Sequence, residues 1–191
     1  MILLPLHKAV FVSTPKCATN TMYEVLKAEY GGQQTGDAFH WNRVPRECLD
    51  WFSFTVCRNP YARAVSVWAS SRGAERYGVR DRVGSDEIRP LFEYLLSNPP
   101  WRSMFMAQHE WLANVRLNTV LRLEDLENEL WRLTFWTGSS TLPRKNPTYP
   151  DMRKPWKWYY EQDAALQPLV EQWAGLDFER YGYSRVIDDC Q

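Results

Sequence analysis

The chain has 191 residues, and its 23 Lys+Arg balance 23 Asp+Glu to a formal net charge of zero, which argues against holding nucleic acid by bulk charge. Hydrophobic residues make up 45% and charged residues 24%, a globular composition with enough apolar material to bury a core without disulfides or metal. The four cysteines form no CxxC or Cys/His cluster, no apolar run is long enough to cross a bilayer, and residues 1–10 are too short and interrupted for a signal peptide. These features predict one cytoplasmic domain over residues 1–191, with reduced thiols, no zinc and no membrane or nucleic-acid partner.

The first predicted element is residues 9–13 (AVFVS), a short β-branched run that suits a buried strand. A small polar loop follows, then a helix over residues 21–30, stopped by Gly31 and Gly32. Phe52–Cys57 is a second buried strand, leading through Arg58, Asn59 and Pro60 into a helix over residues 61–71; proline suits the start of a helix, where a missing N–H costs nothing. Residues 73–86 are charged and glycine-spaced, which predicts a loop. Helices are expected at residues 87–97 and 102–113, a third strand at 118–123, and a helix from 124 to about 136. A Pro-rich segment, residues 142–155, precedes a last helix at 158–173. Strands alternating with helices predict an α/β fold, a central parallel sheet flanked by helices, with ligands at the C-terminal ends of the strands.

The loop between the first strand and helix (residues 14–21, TPKCATNT) has the make-up of an anion site. Small residues let backbone N–H groups converge, and the following helix aims its unsatisfied N–H groups and positive dipole end at the same point. Lys16 adds a full charge, and Thr19, Asn20 and Thr21 add side-chain donors, which suits phosphate or sulfate. It is not a Walker A loop, because its lysine precedes the small residues. The plain alternative is that Thr19 merely caps the helix. Cys17, beside Lys16 at a helix N-terminus, is expected to react faster than Cys57 in its buried strand.

The second strand–helix junction repeats the pattern. Arg58 follows the strand and Ser66 lies two turns into the helix, so the two could share one phosphate, by a forked contact and an O–H. Arg63 is expected to be a structural ion pair or a solvated charge rather than a ligand contact.

Together these segments resemble the PAPS-dependent sulfotransferases, above all the carbohydrate branch. Residues 14–21 resemble that family's 5′-phosphosulfate loop, and residues 58–66 (RNPYARAVS) its 3′-phosphate motif R-[DN]-P-[YF]-x-R-x-x-S. Residues 121–126 (LRLEDL) are similar to its R-x-E-D-L strand end, and residues 177–183 (DFERYGY) to its terminal D-[FY]-x-x-[FY]-G-Y. One departure is Cys17, where Ser or Thr is common. The resemblance covers residues 14–183 and implies a single-domain, P-loop-like sulfotransferase fold.

It further implies a function: in-line transfer of a sulfuryl group from 3′-phosphoadenosine 5′-phosphosulfate (PAPS) to a hydroxyl of a carbohydrate or other small acceptor, leaving adenosine 3′,5′-bisphosphate (PAP). Donor binding would fall to Lys16, Cys17, Ala18, Thr19, Asn20, Thr21, Arg58 and Ser66, with Lys145 and Asn146 closing over the nucleotide unless residues 142–155 are a plain connection. Charge builds on the departing oxygen, a role for Lys16 assisted by loop amides and Thr21. The acceptor needs a base, for which His40 is the first candidate and Asp37 the second. His109, beside Gln108, is a candidate to line the acceptor pocket, as are Trp41 and Trp101, while Trp131, Trp136 and Trp173 sit at core spacing and His7 is peripheral. Glu124 and Asp125 suit a helix start better than a metal, and the activated donor requires none. Two other functions remain open on these residues: a kinase-like phosphotransferase and a non-catalytic nucleotide-binding module.

Overall fold

The computed structural model describes residues 1–35, 40–72, 75–138, 142–143 and 154–190, with Arg76 as backbone only. In chain order the elements are β1 (Ile2–Leu4), β2 (Ala9–Phe11), α1 (Thr19–Glu29), β3 (Gln33–Gln34), β4 (Phe52–Cys57), α2 (Pro60–Ser71), α3 (Val79–Val83), α4 (Ile88–Ser97), α5 (Gln108–Trp111), β5 (Thr119–Arg122), α6 (Leu126–Glu129), α7 (Trp156–Gln162), α8 (Leu166–Trp173) and α9 (Gly175–Tyr181). The chain forms two compact units, Met1–Arg58 with Trp111–Asn146 and Asn59–Glu110 with Pro147–Gln191. Among the described residues no helix is long and apolar enough to cross a membrane.

The first unit carries the α/β sheet, in the order β3-β1-β2-β4-β5. The three strands expected from sequence form its parallel part, with Val10 opposite Ser53 and Thr55 opposite Val120. The rest of the sheet is antiparallel, so it is mixed rather than wholly parallel as expected. The cause is local: β1 reaches β2 through a single turn at Pro5–His7 closed by left-handed Lys8 (φ 45°), and so short a link can only reverse the chain. α1 buries Met22, Tyr23, Val25 and Leu26 and leaves Glu24, Lys27 and Glu29 in solvent. That face joins Ile2, Phe11, Phe54, Val56 and Leu121 in one core, each large apolar side chain adding about 1.5–3 kcal/mol. Gly31 (φ 64°) ends α1, and the N–H of Gly32 returns to Leu26 O at 2.8 Å.

The second unit is helical and has its own core around α2, with Tyr61, Phe92, Phe105, Trp173 and Phe178 at its centre. α2 starts as its sequence dictates: Pro60 is the first helical residue, and Asn59 accepts the N–H groups of Tyr61 (2.9 Å) and Ala62 (3.3 Å). Arg63 is fully buried, not solvated; its Nη2 donates to Met106 O (2.9 Å) and Met104 O (3.4 Å), and its guanidinium lies over the Trp173 ring. The helix expected at 102–113 is broken at extended Met106, leaving only α5 regular. The one expected at 158–173 is two helices, because Asp163 takes the N–H of Ala165 on its carboxylate and that of Leu166 on its carbonyl. The loop expected at 73–86 contains the short helix α3.

Candidate functional site

The loop after β2 is held open by contacts that no local sequence signal announces. Beyond β2, the N–H of Val12 donates to Phe54 O at 2.9 Å, continuing the parallel ladder. Thr55 Oγ1 donates to Val12 O (2.7 Å) and so accepts the proton of Thr14 Oγ1 (2.9 Å), tying the loop's entry to β4. Trp111 Nε1 fixes Ser13 O at 3.0 Å. Thr14 O then gathers the loop back upon itself, accepting the N–H of Cys17 (3.2 Å) and the hydroxyl of Thr19 (3.0 Å).

Two residues of this loop, Lys16 (φ 70°) and Ala18 (φ 53°), are left-handed although neither is glycine, a conformation that costs about 1–2 kcal/mol each. Left-handed residues set among right-handed ones turn successive N–H groups toward a common point, the backbone concavity that binds anions. The helix start agrees. No described side chain caps α1, and its first turn carries no acidic residue. Thr19, the expected cap, gives its hydroxyl to Thr14 O instead, so the first-turn N–H groups of an eleven-residue helix face the loop without that side chain.

Arg58, the residue after β4, brings the second motif to the first: its Nη1 donates to Lys16 O at 3.5 Å. Lys16 and Arg58 are both half-buried. Thr21 donates its hydroxyl to Pro143 O at 3.0 Å, so that proton is engaged by the protein; the same bond brings the chain two residues before Lys145 to the first turn of α1. The Cys17 thiol is wholly buried with the sheet core, so this residue can offer a ligand only its backbone; burial also overturns the fast alkylation expected of it, since Cys17 and Cys57 are equally inaccessible. His40 lies half-buried in the first unit, and Trp41 beside it is exposed. Ser66 is buried on α2, in the second unit. Asp37, Lys145 and Asn146 lie outside the described residues.

The second unit holds a pair that sequence reasoning passed over. Buried Asp177 accepts the N–H groups of Gln108 (2.9 Å) and His109 (2.7 Å), His109 Nδ1 (2.8 Å) and Gln108 Nε2 (3.3 Å). His109 is thus oriented by a carboxylate that also caps α5; the signal was Asp177 at the head of the terminal D-F-x-x-Y-G-Y segment. Trp101 and Trp173 are both tied to backbone, through Tyr77 O (2.7 Å) and Phe105 O (3.0 Å). Among the described residues, no cluster of His, Cys, Asp and Glu is placed to hold a metal ion.

No protein-family model matches the chain, and neither does any curated protein or any solved structure.

Proposed function

We propose that this chain is a PAPS-dependent sulfotransferase with a P-loop-like sulfotransferase fold, acting on a hydroxyl of a carbohydrate or other small acceptor. The observation that carries the reading is the loop after β2: left-handed Lys16 and Ala18, an α1 with no side-chain cap among the described residues, and Arg58 brought to Lys16 O from the adjacent parallel strand. Two cations at the C-terminal ends of neighbouring parallel strands suit a donor with anionic groups at both its 3′ and 5′ positions, and ligands bind at that edge of an α/β sheet.

In this reading the backbone N–H groups at the start of α1, with the Lys16 ammonium and Asn20, hold the 5′-phosphosulfate. Thr19 and Thr21 act indirectly, because their hydroxyl protons shape the loop and tether Pro143. Cys17 supplies backbone only. Arg58 takes the 3′-phosphate, with Ser66 as its partner in the motif. When bound, PAPS supplies an activated leaving group, and Lys16 meets the charge that develops on the departing oxygen. His40 takes the acceptor's proton, with Asp37 as the alternative base; Lys145 and Asn146 close over the nucleotide.

Calorimetric titration tests the reading. PAP should bind at least about tenfold more tightly than ADP or ATP, without magnesium. Magnesium-dependent preference for ATP would replace the proposal with a phosphotransferase.

A further inference from the structure

Trp111, the last residue of α5, is buried and belongs to the first unit. Two of its polar groups go to two different segments of that unit. The indole Nε1 donates to Ser13 O at 3.0 Å, at the entry to the loop after β2. The backbone carbonyl, at a helix end where intrahelical donors run out, accepts Asn42 Nδ2 at 2.8 Å. One residue separates Asn42 from His40, so their Cα atoms lie no more than about 7 Å apart. That residue, Trp41, ties the segment further, because its Nε1 donates to Arg43 O at 2.8 Å. One tryptophan therefore links the segment that carries His40 to the loop that carries Lys16.

We propose that Trp111 and Asn42 are positioning residues that set the place of His40 relative to the loop after β2. The inference rests on the function proposed above, in which His40 takes the acceptor's proton and that loop holds the donor. His40 lies on no helix or strand, so its place depends on side-chain ties. Transfer requires the base and the reacting atoms in register, and a misplacement of about 1 Å costs on the order of a hundredfold in rate. The two bonds have separate effects. Trp111 Nε1 steadies Ser13, and with it Thr14, whose carbonyl gathers the loop. Asn42 brings the His40 segment to that same tryptophan.

The test uses PAP as the probe and reads position without an acceptor. PAP affinity is measured by calorimetry, and the His40 imidazole NMR signal, assigned by its loss in His40→Ala, is followed as PAP saturates the protein. The chains compared are the wild type, Asn42→Ala, Asn42→Gln, Trp111→Phe and the control Tyr30→Phe, which removes a hydrogen bond to Thr137 elsewhere in the first unit. Asn42→Ala should keep PAP affinity within about twofold while the PAP-induced change at His40 falls to less than about half. Asn42→Gln, which keeps the amide donor on a longer arm, should recover part of that response. Trp111→Phe keeps a ring but loses the indole N–H; it should weaken PAP by about twofold to tenfold, the effect of one neutral hydrogen bond, and should also blunt the His40 response. Asn42→Ala decides the matter if Trp111→Phe does not fold. A His40 response that Asn42→Ala leaves intact, or that Tyr30→Phe blunts equally, overturns this proposal alone. A wild type that binds PAP with no change at His40 overturns it together with the role of His40, and leaves donor binding standing. A wild type that binds no PAP removes the proposed function and this inference with it.

Discussion

Arg58 Nη1 lies 3.5 Å from the carbonyl oxygen of Lys16, so the cation that follows β4 supports the backbone of the loop that follows β2. The two strands are parallel neighbours, with Phe11 opposite Phe54, which sets their C-terminal ends side by side. One side chain thus holds a left-handed lysine in place and, on the proposed function, also meets the donor's 3′-phosphate.

Those tasks separate in a binding experiment. Arg58→Ala should weaken PAP by about tenfold to a hundredfold, the cost of one charge-assisted contact. AMP, which lacks the 3′-phosphate, should lose less, and what it does lose measures the slackened loop. Arg58→Lys should restore part of the PAP affinity, because it returns the charge but not the fork. Equal losses for PAP and AMP would make Arg58 a purely structural residue.

Asp177 gives a stability prediction in the second unit. Its carboxylate accepts two backbone and two side-chain donors while wholly buried, so removing it strands all four at once. Asp177→Ala should destabilise the protein by about 3–5 kcal/mol in urea unfolding. His109→Ala removes one donor and leaves the backbone pair, and should cost about 1–2 kcal/mol. A near-neutral Asp177→Ala would show that α5 is not held by that carboxylate.

The parallel strands and the strand–loop–helix after β2 were legible in the sequence because each is a local pattern: a β-branched run, then small residues, then a helix. The antiparallel β1 was not, since it is a three-residue strand, ended by Pro5, that pairing alone defines. Cys17 was misjudged for a related reason. Its place beside Lys16 is visible in sequence, but the direction of its thiol, inward with Met22 and Phe54, depends on the turn at left-handed Lys16 and Ala18. Thr55 and Trp111 hold the loop from 41 and 98 residues away, and no window along the chain contains both ends of either contact.

Tyr61 predicts an alkaline limb in the stability profile. Burial is the main cause that pushes its phenol well above the usual tyrosine value, with the bond to Glu171 Oε1 (2.6 Å) and the nearby carboxylate charge adding to it. Tyr160, which donates to Tyr61 O at 3.0 Å, is raised by burial in the same way. The folded chain keeps these protons at a pH where the unfolded chain has lost them. Stability from this source is therefore complete below pH about 10 and falls above it, by at most about 1.4 kcal/mol per pH unit for each group. Tyr61→Phe should lower the urea midpoint at neutral pH, because it removes bonds to Glu171 and Arg185 O, and should make the decline between about pH 10 and 12 shallower. An unchanged alkaline slope would assign the limb to other groups.

Binding and chemistry part company at Lys16 and His40. On the proposed function Lys16 touches the donor before and during transfer, so Lys16→Ala should damage both PAP affinity and turnover. In the same reading His40 meets the acceptor's proton only as the new bond forms, and removing a general base typically costs about a hundredfold to ten-thousandfold in rate with little effect on ground-state binding. His40→Ala should therefore leave PAP affinity and thermal stability near wild type while transfer nearly disappears. The wild-type rate should fall on the acid side as an imidazole takes up its proton, and that fall should be missing from whatever slow rate His40→Ala retains. Should Asp37→Asn abolish transfer while His40→Ala keeps most of it, the carboxylate is the base. If both variants turn over normally with an acceptor that the wild type accepts, the proton leaves by another route and the role given to this segment is wrong.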